Sequence, residues 1–371
     1  MTKHILVLGG GVIGLSCAFE LKRRGFAVTL LEPRTCGGQA SGAAAGMLAP
    51  FSENVEQPDP FFELCLRSLQ LYPEWQRAVK EVSGLDFEYA ETGSLYTIYH
   101  EADIQAMESR KLWQNEHGAR CELLSANELR GLEPRITSDA IGALYYPGES
   151  HVYAPDYVKA LEAACRRIGV VIRDGLEQID IVRWNGGAEV RSASAGERFC
   201  GDTLLIANGA WAGLLEAEFG MSIPVYPIRG QICAYETPDR PVRHMVFCSQ
   251  GYVVGKRNGT LVCGASEDVA GFQTSVTRRG IARLESWNGK LFPFLGSMRP
   301  FHEWAGLRPA SQDGFPLLGK PSRSDSLLIA AGHYRNGILL SPVTAHVIAD
   351  IAEGRYPGGL TVSAFDPERF S

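Results

Sequence analysis

A glycine-rich turn near the amino terminus is the first group of residues that could do chemistry. It runs Gly9-Gly10-Gly11-Val12-Ile13-Gly14 and fits the pattern G-x-G-x-x-G. In this pattern the first glycine permits a tight turn, the second lets the backbone approach a pyrophosphate, and the third lets a helix pack closely on a strand. The free N–H groups and the positive end of the following helix favour phosphate. The turn therefore predicts a dinucleotide site.

An acidic residue lies at the position where such a site needs one. Glu32 follows Gly14 by 18 residues and ends a second apolar run, close to the spacing of about 20 residues at which a carboxylate accepts the ribose hydroxyls. A glycine-rich turn without a ligand is the alternative, but the order strand, helix, strand and acid favours the dinucleotide. The carboxylate disfavours NADP, whose 2′-phosphate it would repel. It does not separate NAD from FAD.

Segments of small residues favour FAD. Residues 37–47 carry almost no side-chain bulk, so a pyrophosphate and a flat tricyclic ring could lie along them. A flexible linker is the alternative, but a linker would be more polar. Two further turns follow apolar runs, one at Gly209 and one at residues 332–337 before the last helix. That helix could stabilise negative charge on a reduced flavin; a βα crossover without a ligand is the alternative there.

Arg308 is a candidate for binding a carboxylate. It follows the apolar run 304–307, where an unpaired guanidinium would be costly. A guanidinium matches a carboxylate with two parallel hydrogen bonds, although pairing with a structural acid is an equally good reading. Tyr252 by itself indicates a core aromatic residue, and His333 a capping or core histidine as readily as an acid or base. His151 is a weaker candidate still.

Composition and charge exclude several classes of function. The chain of 371 residues has 36 Lys and Arg against 42 Asp and Glu, a net charge of -6, which argues against nucleic-acid binding because phosphate contacts need clustered basic residues. No apolar run approaches the ~18 residues of a membrane-spanning helix. The nine cysteines are scattered, which indicates reduced thiols in the cytoplasm and no metal site. Glycines interrupt the apolar run 5–18, so we interpret it as a strand and turn rather than a signal peptide.

The spacing of apolar residues predicts the elements that position these groups. A strand at 5–8, a helix at 15–24 and a strand at 27–31 surround the glycine turn. Asp59 and Pro60 predict a helix start, and Pro73 is expected to bound or kink that helix. Further helices are predicted near 101–115, 125–132, 156–168 and 338–352, and further strands at 203–207, 225–235, 252–254, 261–264 and 326–331.

The distribution of these elements predicts an α/β fold assembled from separate pieces. Strands followed by nucleotide-type turns lie at both chain ends and at 203–209, whereas the segments between them carry strands of antiparallel character. We therefore predict a Rossmann-like FAD-binding domain formed by 1–85, 145–220 and 305–371. An α+β substrate domain with an antiparallel sheet would comprise 86–144 and 221–304.

The same residues resemble a known family. The turn at 9–14, Glu32, SGAAAGM at 41–47, PIRGQ at 227–231, WAGLRP at 304–309 and GHYRNGI at 332–338 resemble the D-amino acid oxidase superfamily of flavoenzymes. Within it, the motifs are most similar to the bacterial branch that oxidises glycine. The resemblance spans essentially the whole chain. Some members attach FAD through a Cys just after the arginine, and since residues 309–314 contain none, a noncovalent flavin is implied.

The resemblance carries site residues onto this sequence. Arg308 matches the arginine that binds the substrate carboxylate, Tyr252 the tyrosine that hydrogen-bonds it, and Arg335 a position whose backbone carbonyl meets the substrate amine. Motif and resemblance together predict an FAD site composed of Gly9, Gly11, Val12, Ile13, Gly14, Glu32, Pro33, Ala40, Ser41, Ala45, Gly46, Met47, Gln178, Gly209, His333, Tyr334, Arg335, Asn336, Gly337, Ile338 and Leu339.

The implied function is oxidative deamination of glycine and other small amines or amino acids, such as sarcosine and small D-amino acids. Hydride would pass to flavin N5 and then O2 would be reduced to H2O2, leaving a 2-oxo acid and ammonia or amine. The product would feed thiazole synthesis for thiamine, and a homo-oligomer, a tetramer, is implied. Alternatives are a sarcosine oxidase or D-amino acid dehydrogenase of the same superfamily, an NAD-dependent dehydrogenase, and a nonenzymatic nucleotide-binding module.

Overall fold

A six-stranded sheet holds the amino-terminal glycine turn. The computed structural model describes residues 2–54, 56, 58–193, 196–356, 358 and 361–371. All neighbouring strands of this sheet are parallel except the first pair. In spatial order the strands are Leu317–Gly319, Leu327–Ala331, Thr203–Ile206, His4–Leu8, Ala27–Leu31 and Val171–Arg173.

Both faces of this sheet are buried, which explains its nearly continuous apolar strands. One face, including Ile5 and Val7, packs against helices, and the other, including Leu6 and Leu8, packs toward a small antiparallel sheet. The helices are Val12–Arg23, Pro60–Ser83, Ala154–Arg167 and Gly337–Ala352. The small sheet consists of Ile179–Arg183, Ala188–Ser192 and Arg198–Gly201.

An eight-stranded sheet forms the second half of the molecule. All its neighbouring strands are antiparallel except Met245–Cys248 and Ser94–Ile98. The helix Arg278–Leu291 covers the apolar face with Ile281, Leu284 and Trp287. In spatial order the strands are His302–Ser311, Val225–Glu236, Thr260–Gly264, Gly251–Gly255, Met245–Cys248, Ser94–Ile98, Gly142–Tyr146 and Glu122–Ser125.

Short elements connect the two large sheets. A three-stranded sheet contains Met47–Leu48, Ser150–Val152 and Tyr89–Ala90. The remaining α-helices are Ala40–Ala43, Pro50–Glu53, Ile104–Glu116, Ala126–Leu132 and Glu216–Phe219. Short 3-10 helices span Glu101–Asp103, Gly209–Leu215, Pro293–Ser297 and Val362–Phe365. In the described part of the chain, no helix combines the length and apolar character needed to cross a membrane.

The α/β fold class with a separate antiparallel sheet is confirmed. The division into domains stays a prediction, and two of its boundaries, at 144/145 and 304/305, fall inside strands of the eight-stranded sheet. Asp59 caps its helix as predicted, since its Oδ1 accepts a hydrogen bond of 2.7 Å from the backbone N–H of Phe62. Pro73 was expected to bound or kink that helix; it does not bound it, because the helix runs through Pro73 to Ser83.

A second internal proline, Pro342, lies in the helix Gly337–Ala352, which begins beside the glycine turn. Because proline has no N–H, the carbonyl of Ile338 lacks its usual donor within the helix. The Tyr72 hydroxyl donates to this carbonyl at 2.7 Å and the Ser341 hydroxyl at 2.9 Å. The long helix Pro60–Ser83 thus compensates a backbone defect in the helix Gly337–Ala352.

We expect Tyr72→Phe to lower the free energy of unfolding by about 1 kcal/mol, the net value of one buried hydrogen bond. Chemical denaturation of the FAD-loaded protein measures this difference. Tyr356→Phe, at a side chain that is 76% exposed, is the matched control. Equal destabilisation by the two substitutions would contradict the role given to Tyr72.

Candidate active site

The glycine turn brings a helix directly onto the end of the first strand. Gly9 has φ of +113°, and a Cβ on it would lie 2.4 Å from the carbonyl oxygen of Ala207. A Cβ on Gly14 would lie 1.9 Å from the carbonyl oxygen of Gly9. Neither position therefore tolerates a side chain. The backbone N–H groups at the start of the helix Val12–Arg23 consequently face the end of the sheet, where an anion can approach them.

Glu32 lies beside this turn, as predicted. Its two carboxylate oxygens accept hydrogen bonds from the N–H of Gly10 at 2.7 Å and from the N–H of Arg34 at 2.9 Å. These bonds fix the carboxylate but leave lone pairs free, because a carboxylate can accept about four hydrogen bonds. Ser41 lies on the other side of the turn, where its hydroxyl accepts a hydrogen bond of 2.9 Å from the N–H of Val12.

A cavity of about 680 Å³ joins the glycine turn to the eight-stranded sheet. Most of the predicted site residues line it. Gly14, Gln178, Asn336 and Leu339 do not line it. Those that do are Gly9, Gly11, Val12, Ile13, Glu32, Pro33, Ala40, Ser41, Ala45, Gly46, Met47, Gly209, Tyr252, Arg308, His333, Tyr334, Arg335, Gly337 and Ile338.

The end of the cavity near Glu32 differs in detail from the prediction. Glu177 and Ile179 line it, whereas the backbone carbonyl of Gln178 accepts a hydrogen bond of 3.0 Å from the N–H of Ala193. Gln178 thus lies between two residues of the cavity wall, and its contact with the adenine end stays a prediction. Trp211, which the sequence did not single out, also lines this end, and the guanidinium of Arg34 lies 5.8 Å from the centre of its ring.

Arg308 extends from the strand His302–Ser311 into the other end of the cavity. Its Nη1 donates 2.9 Å to the carbonyl oxygen of Ser266. Its guanidinium lies against Gly230, where a Cβ would be only 2.5 Å from Cζ. Within the described ranges, this guanidinium pairs with no carboxylate. The interpretation of Arg308 as half of a structural ion pair is therefore not supported. A ligand carboxylate is the type of partner that would complement its charge.

Tyr252 contributes a buried hydroxyl to the same end. The side chain is largely buried, and a Cβ on Gly264 would lie 2.5 Å from its hydroxyl oxygen. Burial raises the pKa of Tyr252, so the hydroxyl keeps its proton and can donate it. No hydrogen bond joins this hydroxyl to another described residue. Arg308 and Tyr252 thus offer unused donors in one cavity.

Arg335 differs from Arg308 because carboxylates hold it. Its guanidinium donates to Glu267 at 3.2 Å and to Glu53 at 3.3 Å, and the hydroxyl of Tyr334 also donates to Glu267 at 3.0 Å. The charge of Glu53 raises the pKa of Arg335. Sequence reasoning missed Glu53 and Glu267, because neither lies in a recognisable motif. Their pairing leaves Arg308 as the cation available to an anionic ligand in this part of the described structure.

His333 is a core residue in this structure. Its Nε2 lies 3.0 Å from the hydroxyl of Thr344, and burial lowers the pKa of His333 to about 3. The imidazole is therefore neutral near neutral pH, and its Nε2 is engaged by Thr344. The helix Gly337–Ala352 begins four residues later, and its positive end faces the cavity through Gly337 and Ile338.

A buried lysine fixes the small-residue segment that lines the cavity. The Nζ of Lys256 donates a hydrogen bond of 2.7 Å to the carbonyl oxygen of Ala45 and one of 3.0 Å to that of Val152. It also lies 3.1 Å from Nδ1 of His151. Burial lowers the pKa of Lys256 to about 7. His151 therefore has a structural partner, in keeping with its low rank as a site candidate.

Comparisons with known proteins define the family. A family model described as FAD dependent oxidoreductase matches residues 4–351. The chain belongs to this family, and the resemblance to the D-amino acid oxidase superfamily is confirmed. FAD is accordingly its cofactor, which the glycine turn, Glu32 and the cavity fit. The readings as an NAD-dependent dehydrogenase or a nonenzymatic module are not favoured, whereas noncovalent attachment stays a prediction.

Within the family, the chain is similar to glycine oxidases along its whole length. The chain is 35% identical to the "Glycine oxidase" of Geobacillus kaustophilus, over 99% of this chain and 96% of the relative. The crystal structure of glycine oxidase from Geobacillus kaustophilus superimposes with a TM-score of 0.93 over 99% of both chains, at 31% identity. A "Bifunctional protein ThiO/ThiG" of Synechocystis sp. is 34% identical over the whole chain, which spans only 54% of that relative.

We expect Gly230→Ala to raise the KM for a carboxylate substrate at least about tenfold, because the added methyl displaces the Arg308 guanidinium and weakens a charge-assisted hydrogen bond. FAD content should not change. Steady-state kinetics and the visible flavin spectrum measure the two effects. Gly131→Ala, where a Cβ meets nothing within 4 Å, is the control; an unchanged KM for Gly230→Ala would contradict the position assigned to Arg308.

We expect His333 to make folding sensitive to acid. Since burial lowers the pKa of His333 from 6.5 to about 3, the folded state binds fewer protons than the unfolded state between these values. Its contribution is therefore present above pH 6.5 and is lost as the pH falls toward 3. The free energy of unfolding, measured by urea denaturation at several pH values, should fall less steeply with decreasing pH for His333→Gln than for the wild type. The same dependence on pH in both proteins would refute a buried neutral His333.

Proposed function

We propose that this protein oxidises glycine and similarly small amino acids or amines to the 2-oxo acid, releasing ammonia or amine and H2O2. The observation that carries the proposal is the guanidinium of Arg308, which faces the cavity and has no acidic partner among the described residues. The hydroxyl of Tyr252 lies in the same cavity. The similarity to glycine oxidases along the whole chain supports glycine as the substrate class.

In this proposal the protein residues orient the substrate. Arg308 binds the carboxylate with parallel N–H donors, and Tyr252 donates a further hydrogen bond to it. The backbone carbonyl of Arg335 accepts from the substrate amine, which must be neutral to release its lone pair as the Cα–H bond breaks. FAD, held at the glycine turn and Glu32, would supply the two-electron oxidising chemistry. Water would then hydrolyse the resulting imine to the 2-oxo acid and ammonia or amine.

No ionised side-chain base is needed in this mechanism. His333 is buried and holds its neutral form, and the paired Glu53 and Glu267 are engaged by Arg335. The contribution of the protein residues to the rate therefore comes from orienting the reacting C–H bond. A sister activity, that of a sarcosine oxidase or of a D-amino acid dehydrogenase that reduces a quinone, would use the same carboxylate clamp.

The cellular setting is part of the proposal. We place the enzyme in the cytoplasm as a homo-oligomer, a tetramer by family resemblance, with O2 as acceptor and with neither nucleic acid nor membrane as partner. Its product would enter thiazole synthesis for thiamine. The similarity to bifunctional ThiO/ThiG proteins supports that role.

The decisive experiment measures aerobic H2O2 release by the purified yellow protein with glycine, sarcosine, D-alanine and D-proline. An artificial dye serves as a parallel electron acceptor. Peroxide formed from glycine is the expected result. Dye reduction without peroxide would identify a dehydrogenase and would remove the assignment to thiamine synthesis.

We expect Arg308→Lys to lower kcat/KM for glycine by roughly ten- to a hundredfold, because an ammonium cannot reproduce two parallel bonds to a carboxylate. The FAD content should equal that of the wild type. Arg299→Lys, at a side chain that is 88% exposed, controls for the general effect of the exchange. Wild-type kinetics of Arg308→Lys would refute the carboxylate clamp.

A further inference from the structure

The Arg308 guanidinium contacts the carbonyl of Ser266 and the backbone at Gly230, so its orientation depends on how these two residues are positioned. Its acceptor, the carbonyl of Ser266, lies in a short segment after the strand Thr260–Gly264, and its floor is Gly230 on the neighbouring strand Val225–Glu236. This irregular segment is joined to the strand Val225–Glu236 by an isolated bridge between Arg229 and Asp268. Side-chain hydrogen bonds add to this bridge in setting the position of the Ser266 carbonyl.

Asp268 is the group that ties this segment down. Its Oδ2 accepts hydrogen bonds of 2.7 Å from Nε2 of Gln231 and of 2.7 Å from the hydroxyl of Ser266. The Nε of Arg229 lies 3.4 Å from the same oxygen. The backbones of Asp268 and Arg229 also exchange hydrogen bonds of 2.9 Å and 3.0 Å. One carboxylate thus gathers donors from the strand and from the irregular segment.

The partners of Asp268 are linked to one another as well. The N–H of Gln231 donates a hydrogen bond of 3.0 Å to the Ser266 hydroxyl, and the N–H of Ser266 donates one of 3.1 Å to the Gln231 carbonyl. Gln231 and Ser266 are both almost fully buried. Gln231 follows Gly230 directly. The network therefore connects both residues that contact the Arg308 guanidinium, Gly230 and Ser266.

The charge of Asp268 is maintained in this setting. Partial burial raises the pKa of Asp268, but the hydrogen bonds from Gln231 and Ser266 and the charge of Arg229 outweigh it, so that the pKa is lowered overall. The residue between the two anchors, Glu267, pairs with Arg335. Fixing residues 266 and 268 therefore also positions the backbone of the residue that pairs with Arg335.

We infer that Asp268 is a positioning residue of the substrate site, which sets the orientation of Arg308 through Ser266 and Gln231. The inference rests on the proposed carboxylate clamp. Asp268 does not reach the substrate in this scheme. Its loss should weaken the binding of the carboxylate group rather than the binding of FAD or the rate at saturating substrate.

The test is a titration of FAD-loaded protein with acetate, the smallest carboxylate probe, followed by the change in the visible flavin spectrum. We expect Asp268→Asn to raise the Kd for acetate at least tenfold while the affinity for FAD stays at the wild-type value. With glycine, KM should rise far more than kcat falls. Asp325→Asn, an exposed partner of Lys320, is the matched control.

The outcomes separate the two proposals. Equal acetate binding by wild type and Asp268→Asn would overturn the role of Asp268 and leave the clamp intact. Acetate without effect on the wild type would overturn both. If Asp268→Asn purifies without FAD, Ser266→Ala decides, because it removes one bond to Asp268 and keeps the backbone carbonyl. Weaker acetate binding by Ser266→Ala supports the inference, and unchanged binding overturns it.

Discussion

The close approach of one helix to the ends of two parallel strands is the constraint on which this structure depends. Gly14 packs against the carbonyl of Gly9, and Gly9 against that of Ala207, at separations that exclude any Cβ. Because the backbones touch there, the N–H groups of the helix lie at the sheet edge and Glu32 lies within hydrogen-bond distance of Gly10. The dinucleotide end of the cavity follows from this packing alone.

The other end of the cavity depends on how charge is distributed between two arginines. Arg335 is neutralised by Glu53, at the end of the helix Pro50–Glu53, and by Glu267, in the segment after the strand Thr260–Gly264. Arg308 has a carbonyl acceptor and, among the described residues, no acidic partner. Since a partly buried guanidinium favours a counterion, this asymmetry is the basis for proposing Arg308, rather than Arg335, as the group that binds a carboxylate.

Compensation of backbone defects links the helices to this site. Pro342 removes a hydrogen bond from the helix Gly337–Ala352, and Tyr72 restores a donor from the neighbouring helix. Lys256 similarly satisfies the carbonyls of Ala45 and Val152 where the small-residue segment meets the strand Ser150–Val152. In both places a side chain far away in the sequence holds backbone that lines or supports the cavity.

The sequence by itself determined the dinucleotide site, because its signals are local: glycines at fixed spacing, an acid at the end of the next strand, and a run of small residues. It also indicated the fold class and the importance of Arg308. It missed the strand His302–Ser311 that carries Arg308, since that strand is only partly buried along its length and lacks a clear alternation.

Only the tertiary structure decided which charges are paired. Glu53 and Arg335 are 282 residues apart in the chain and yet form an ion pair. The network of Asp268, Gln231 and Ser266 joins a strand to an irregular segment that no local pattern connects to it. The neutral state of His333 likewise depends on its burial. Local spacing encodes the conformation of a turn, whereas pairing, desolvation and unused donors arise from contacts between distant segments, which only the folded chain brings together.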